Sequence, residues 1–360
     1  MTGVRIRARD DDADDDDADP TGATGLADGR FRLPPARVAA LRARLGAPPG
    51  PAGDAALLRS LLEAARSRAR PPVSAYRVGA AALGASGAVW MGCNLELAGA
   101  PLSASVHAEQ FVASSAAAGG ETALSVVAVT AAPCGHCRQF FCEVNDAAGA
   151  RFVFPSPSGD GGWVDASLDA LLPHRFGPED LLPEGAGEGA APTPRVLAPA
   201  PWGLRLSARG RAALDAACRA AGPGALADGL RAAAAEALAA AERSHAPYSR
   251  CPSGLALVGG AGEVAGAGAY LESAAFNPSL PPLQAALVGA VTRAASRGRS
   301  AAETPWSDVV GGVLCERGGG KVSQADAARH ALGLVAPGGG LGLVVLEVEG
   351  DAGLGEIAEE

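Results

Sequence analysis

Apolar and polar positions alternate along this 360-residue chain with a period that changes from segment to segment. Leu, Ala and Arg recur at helical spacing over residues 38–45 and 54–68, with the Pro/Gly stretch 48–53 between them, which predicts two short helices. Residues 76–83 and 89–94 flank the small residues Gly84 to Gly87 and predict a β-hairpin. A helix over about 104–118, an apolar run over 125–131, a helix over about 134–144 and a strand over 151–155 continue the series. Strands alternating with helices predict a layered α/β domain. Residues 184–201 are dense in Gly, Pro and Ala with few large apolar side chains, and read as a linker.

Beyond that linker the order recurs. A helical stretch over 229–243 leads into Ala246-Pro247-Tyr248-Ser249, a strand over 254–258, a Gly-rich turn, a strand over 264–269, and Tyr270-Leu271-Glu272-Ser273. The first half carries Arg70-Pro71-Pro72-Val73-Ser74, then 78–83, a Gly/Ser turn, 89–93, and Asn94-Leu95-Glu96-Leu97. The two series align with an offset of about 176 positions, which predicts a duplicated domain. The chain therefore divides into a tail (1–30), a first domain (31–183), a linker (184–203) and a second domain (204–360).

Charge changes this picture at one end. Residues 10–19 hold eight aspartates in ten positions, a run that repels itself and buries nothing, so the tail is expected to be solvated and disordered. The net charge is −9, with 30 Lys+Arg against 39 Asp+Glu, and aromatics are 4% of residues. That balance argues against a nucleic-acid or anionic-membrane partner, because both are met by a basic surplus. The amino-terminal run fits neither a secretory signal nor a transit peptide, and no uncharged apolar run is long enough for a membrane span. The expected compartment is the cytosol. Seven cysteines without framework spacing agree with reducing surroundings and direct attention to a metal site.

One constellation carries chemistry. His107-Ala108-Glu109 is followed, a helix and a strand later, by Pro133-Cys134-Gly135-His136-Cys137. Cys134 and Cys137 are three apart at a helix start, where positions i and i+3 share a face and the free N–H groups favour thiolates. One imidazole and two thiolates give Zn²⁺ three protein ligands and a cancelling charge, and leave a fourth position open, as in catalytic zinc sites. Glu109, two residues past His107 on the helix, is placed beside that open position and not in the ligand set. Zinc lowers the pKa of its water toward about 7, and a carboxylate there can act as general base and then general acid. A Cys-x-x-Cys alone is equally half of a structural site or a redox pair, and His136 is the obvious fourth candidate; the order of the two motifs points to catalysis. The remaining cysteines, Cys93, Cys142, Cys218, Cys251 and Cys315, are expected to be buried apolar residues.

His-x-Glu followed by Pro-Cys-x-x-Cys resembles the signature of zinc-dependent deaminases. Over about residues 70–286 the chain is similar to the two-domain, homodimeric cytidine deaminases of plant and enterobacterial type. The resemblance rests on His107-Ala108-Glu109-Gln110, Pro133 to Phe140, Leu172-Pro173-His174-Arg175-Phe176-Gly177-Pro178 and Ser244-His245-Ala246-Pro247-Tyr248-Ser249. It implies an α/β fold of three α/β/α layers with a mixed sheet between helices, present once as a catalytic and once as a degenerate copy. It further implies one Zn²⁺ per chain held by His107, Cys134 and Cys137, with Glu109 as the catalytic proton shuttle. Asn94 and Glu96 match the family's ribose-binding pair, which two residues apart on a strand would project from one face. Ala108 would meet the pyrimidine carbonyl through its backbone, Tyr76 stands where relatives often carry Phe, and Phe176 resembles a second base-packing aromatic.

In the second half, aligned through Asn-x-Glu, Tyr270 stands for Asn94 and Glu272 for Glu96. With a one-residue gap, Pro282 is expected in place of His107 and Gln284 in place of Glu109, and no Pro-Cys-x-x-Cys follows. That half should bind no zinc. The resemblance implies a homodimer in which Ala274-Ala275-Phe276-Asn277 helps close the partner's site. The expected activity is hydrolytic deamination of cytidine and deoxycytidine to the uridines with release of ammonia, in pyrimidine salvage. Three other functions fit the sequence less well. Editing of RNA or DNA calls for a basic groove and stacking aromatics, a nucleotide deaminase for a phosphate-binding cluster, and an inert zinc scaffold would not need Glu109, Asn94 and Glu96.

Overall fold

A computed structural model describes residues 30–144, 149–182, 194–199, 201–299 and 304–350. The acidic tail, apart from Arg30, and most of the expected linker lie outside the described residues.

The first half is built in chain order from β1 (Arg32–Leu33), α1 (Pro35–Leu45), α2 (Pro51–Arg59), α3 (Leu62–Arg66), β2 (Gly79–Gly84), β3 (Val89–Cys93), α4 (Ala108–Ala118), β4 (Leu124–Val129), α5 (Gly135–Phe140), β5 (Arg151–Pro155), β6 (Trp163–Ser167), α6 (Leu168–Leu171) and α7 (Pro178–Leu181). The second comprises β7 (Arg205–Leu206), α8 (Ala208–Ala221), α9 (Ala225–Glu242), β8 (Ser253–Gly259), β9 (Val264–Ala269), α10 (Pro282–Ser296), β10 (Val309–Arg317), α11 (Ala325–Val335) and β11 (Gly342–Glu349). Each half has one mixed sheet. Their orders are β1-β3-β2-β4-β5-β6 and β7-β11-β10-β8-β9. The parallel pairs are β4/β5 in one and β10/β11 in the other. Helices α2 and α3 on one side and α4 on the other sandwich the first sheet, and α9 and α10 do the same for the second. These are the three layers expected.

Local residue choices explain the close packing. Gly92 lets β3 approach α4: a Cβ there would lie 2.6 Å from the Ala108 carbonyl oxygen and 2.9 Å from the Val112 nitrogen. Gly268 does the same in the second half, where a Cβ would lie 2.2 Å from the Ala286 nitrogen. Neither strand can carry a side chain there without moving its helix. The few aromatics are concentrated where they matter, with Phe111, Phe140, Phe141 and Phe152 fully buried around α4 and α5. The rings of Phe141 and Phe152 meet edge to face at 5.1 Å.

Several expected bounds shift for identifiable reasons. The helix expected from about residue 104 begins at Ala108, because His107 is extended (φ −79°, ψ 153°) and caps it; residues 102–104 form a separate 3₁₀ turn. The helix expected over 54–68 is two helices broken at Ser60 and Leu61. The described part of the expected linker is not loose: Val196 is fully buried, and its N–H donates to the Glu143 carbonyl at 2.8 Å.

The repeat extends to hydrogen bonding. Leu95 bridges Arg70 and Val106, and Leu271 bridges His245 and Leu280 in the same senses. Glu96 accepts from the Val73 and Ser74 N–H groups, both at 2.9 Å. Glu272 accepts from the Tyr248 and Ser249 N–H groups, at 2.9 and 3.2 Å.

Glu121 pins the β2/β3 turn to the end of α4. Its buried carboxylate accepts from Ser86 Oγ at 2.5 Å and Trp90 Nε1 at 3.0 Å, and from the N–H groups of Ser86 and Thr122. Burial alone would raise this carboxyl, but the Ser86, Trp90 and backbone donors hold it below its ordinary value. A depressed folded pKa contributes stability that is fully present above the unfolded value and is lost as the pH falls through the folded one. Glu121→Gln is therefore expected to cost about 1–3 kcal/mol at pH 7 and progressively less below about pH 4.5. Denaturant titrations of both proteins at pH 7 and pH 3.5 check this, and a difference that does not shrink with pH would refute it.

Candidate metal centre

Two helix starts converge. His107 caps α4 and Cys134 caps α5, both in extended backbone, while Cys137 sits one turn into α5. Among the described residues, His107, Cys134 and Cys137 form a group whose ligand atoms all lie within 4.8 Å of one another. Cys134 Sγ and Cys137 Sγ are 3.4 and 3.3 Å from the same nitrogen, His107 Nδ1. His136 is not in the group; its ring stacks on that of His107, with centroids 4.9 Å apart.

Electrostatics at this cluster favour a cation. The hydrogen bond with Cys137 pulls the Cys134 thiol down to about 3 against the effect of burial, and His107 adds to the pull. Cys137 is pushed up, first by that bond with Cys134 and then by burial. His107 is raised by its hydrogen bond with Cys134. Three lone-pair groups sharing too few protons in one place is the condition that a divalent metal relieves, displacing the protons that remain. One imidazole and two sulfurs are also the donor softness that zinc takes. The residues present fit zinc.

A cavity of about 450 Å³ opens over the cluster. His107, Ala108, Glu109 and Cys134 form its floor, and Tyr76, Asn94 and Glu96 contribute to its wall. Glu109 is buried, 4% exposed, and burial pushes its carboxyl up. Tyr76 is 61% exposed. Asn94 and Glu96 lie just past the end of β3 and not within it, with Leu95 buried between them, so the alternation still sends both toward the cavity. Both also shape the wall. Asn94 accepts from the Val78 N–H and donates to the Tyr76 carbonyl, each at 2.9 Å. Glu96 accepts from Ser74 Oγ at 2.5 Å besides its two N–H bonds, and those donors hold its carboxyl below the ordinary value although burial works the other way. An amide and a carboxylate still have lone pairs and one N–H to offer a ligand.

Phe176 is not brought to this cavity within the chain. It is 46% exposed, and its carbonyl accepts from Gln139 Nε2. Ser74 escaped the sequence reasoning, although its recurrence as Ser249 in the repeat signalled a shared role. Glu143 escaped it for lack of any pattern that marks an isolated buried polar residue, and Gln110, although it closes the His107-Ala108-Glu109-Gln110 motif, carried no expected role.

The second half requires a correction of register. The Leu271–Leu280 bridge and the Ala285 N–H to Pro281 carbonyl bond match Leu95–Val106 and the Phe111 N–H to His107 carbonyl bond. Pro281, not Pro282, therefore stands in the place of His107, and Leu283, not Gln284, in that of Glu109. The gap in the loop before α10 is two residues long, one more than the sequence alignment allowed. At the start of α11, Gln324 caps the helix as Cys134 caps α5. Proline, leucine and glutamine supply neither a metal ligand set nor a proton shuttle. The other five cysteines are all buried free thiols. Among the described residues, no helix is long and apolar enough to cross a membrane.

Comparison with known proteins agrees with this geometry. Two family models, both described as the cytidine and deoxycytidylate deaminase zinc-binding region, match, one over residues 53–150 and the other over 168–329. Cytidine deaminase 1 of Arabidopsis thaliana is 39% identical over 292 residues, covering 78% of this chain and 87% of that protein. A cytidine deaminase of Serratia proteamaculans is 40% identical over 235 residues, covering 65% of this chain and 67% of that one. The crystal structure of a cytidine deaminase from Burkholderia pseudomallei is 32% identical, covering 33% of this chain and 96% of its own, with a TM-score of 0.30. Two copies of one zinc-binding fold in a single chain, one with the His/Cys/Cys group and one with Pro281 and Gln324 in its place, are what a duplication followed by loss of one centre leaves, and the chain belongs to the cytidine deaminase family.

Proposed function

We propose that this protein hydrolyses cytidine and deoxycytidine to uridine and deoxyuridine, releasing ammonia, and that only its first half carries the reaction. The observation that carries this reading is the buried carboxylate of Glu109 on the floor of a cavity beside a three-ligand group. His107, Cys134 and Cys137 hold the zinc, which when bound supplies the Lewis acid that makes water nucleophilic near neutral pH. Glu109 takes one proton from the attacking water and delivers it to the ring nitrogen, where it stays in the product, then takes the second from the hydroxyl now on the ring carbon and delivers it to the departing amine, which leaves as ammonia. A C–O bond forms and the C–N bond breaks at the same ring carbon. A buried carboxyl with a raised pKa suits a group that must both accept and return a proton. Asn94 and Glu96 bind the ribose hydroxyls, Ala108 offers backbone to the base carbonyl, and Tyr76 flanks the base.

The described cavity lining contains no Lys or Arg. A phosphate there would have no cation to meet, which favours a nucleoside over a nucleotide or a nucleic acid. The wall is also unfinished within one chain, with Tyr76 and Leu102 exposed by 61 and 74%, and Phe276, outside this cavity, is exposed by 66%. Closure by a second copy, with Phe276 and Phe176 reaching across from the partner, would complete it, so the working form is a homodimer with one zinc per chain. Two thiolates that must stay reduced support a reducing compartment, the cytosol, and the uridine product supports a role in pyrimidine salvage.

The ultraviolet change of cytidine, cytidine monophosphate and a cytosine-containing oligonucleotide on mixing with the zinc protein tests the reading. Turnover of the nucleoside alone is expected. Preferred turnover of either phosphate-bearing substrate would overturn it.

A further inference from the structure

We infer that one loop of the metal-free half, residues 274–278, braces the two helices that carry the metal ligands, with Gln110 and Glu143 as the positioning residues that grip it. The inference rests on the zinc reading above and adds a role for the half that has lost its own centre.

The ligands come from two separate elements, α4 and α5, so the distance between those elements sets the size of the site. Both are tied to the same short segment. Gln110, beside Glu109 in the first turn of α4, donates from its buried Nε2 to the Pro278 carbonyl at 2.9 Å. Its Oε1 accepts from the backbone N–H of His107 at 3.4 Å. Glu143 ends the 3₁₀ turn that continues α5 and is wholly buried. Its carboxylate accepts from the Ala274 N–H at 2.7 Å, from His245 Nε2 at 3.0 Å and from the Tyr248 hydroxyl at 2.8 Å. Only three residues therefore separate the grip on the cysteine helix at Ala274 from the grip on the histidine helix at Pro278.

The gripped segment is itself stiff. Leu271 and Leu280 pair at its base, Ser279 Oγ accepts from the Ser273 N–H, and Phe276 (φ +59°) turns it through local backbone bonds. A carboxylate buried among three donors holds its geometry strongly, because losing any one leaves a buried charge short of a partner. The copy without metal thus keeps the other copy's metal helices in register.

Release of zinc to a coloured chelator from the full-length protein tests this, with Gln110→Met and Glu143→Gln set beside Leu230→Ala, which removes a buried side chain of α9 far from the loop. Each brace variant is expected to release zinc about tenfold faster, the lower end for residues that support metal ligands. The double variant should release it little faster than the quicker single one, because both act on one segment. The sulfur-to-metal absorption of the cobalt-substituted protein should shift in the brace variants and not in Leu230→Ala. Zinc release at the native rate from a folded Gln110→Met or Glu143→Gln protein overturns the inference, as does equal acceleration by Leu230→Ala. Should Glu143→Gln not fold, Gln110→Met alone decides. A native protein that holds no zinc would instead overturn the metal reading on which the inference stands.

Discussion

Glu109→Gln is expected to lower kcat for cytidine by about 10⁴-fold, the upper end of what one positioned acid–base contributes. The size follows from double duty: the same carboxylate carries one proton of water to the ring nitrogen and the other to the leaving nitrogen, so both transfers are lost together. The amide has nearly the same shape and makes no metal bond in this account. Zinc content and thermal midpoint should therefore stay close to native, and KM should change less than kcat. Metal analysis and steady-state kinetics on the same sample separate this from a ligand role. Loss of zinc from Glu109→Gln would place Glu109 in the ligand set and overturn its assignment as the shuttle.

Cys134→Ala is expected to remove both metal and activity. The hydrogen bond with Cys137 pulls the Cys134 thiol down, against burial, toward the thiolate that a cation binds. Without it His107 and Cys137 remain as two ligands, too few for a catalytic zinc site. A folded state that no longer binds zinc forgoes RT ln(1 + [Zn]/Kd), about 4 kcal/mol at a thousandfold excess over Kd. The melting temperature of Cys134→Ala should consequently be low and unresponsive to added zinc, whereas that of the native protein should rise with it. A variant that keeps stoichiometric zinc would show that other residues hold the ion.

The contrast between what could and could not be read from sequence follows physical lines. His107, Glu109, Cys134 and Cys137 were legible because metal chemistry demands particular atoms at particular spacings, and the structure groups His107, Cys134 and Cys137 and lines one cavity with His107, Glu109 and Cys134. The duplication was legible because turn and strand signals recur at nearly constant offset, down to the Glu96 and Glu272 hydrogen bonds. The register of the degenerate centre was not, since the loop from Leu271 to Leu280 is two residues shorter than that from Leu95 to Val106, and Ala/Gly-rich sequence gives an alignment nothing to hold. The extended cap at His107 was missed because alanine-rich flanks continue a helical pattern through it. Glu143 was invisible for a different reason: its partners lie more than 100 positions away, and no local period reports such a contact.

The most direct measurement of the central claim is stoichiometric. Zinc is added back in steps to metal-free protein while ammonia release from cytidine is followed. Activity should rise linearly and break at one zinc per chain, the first half filling while the second, with Pro281 and Gln324 in its place, takes none. A break at two zincs per chain, or full activity before any zinc is added, would contradict the account.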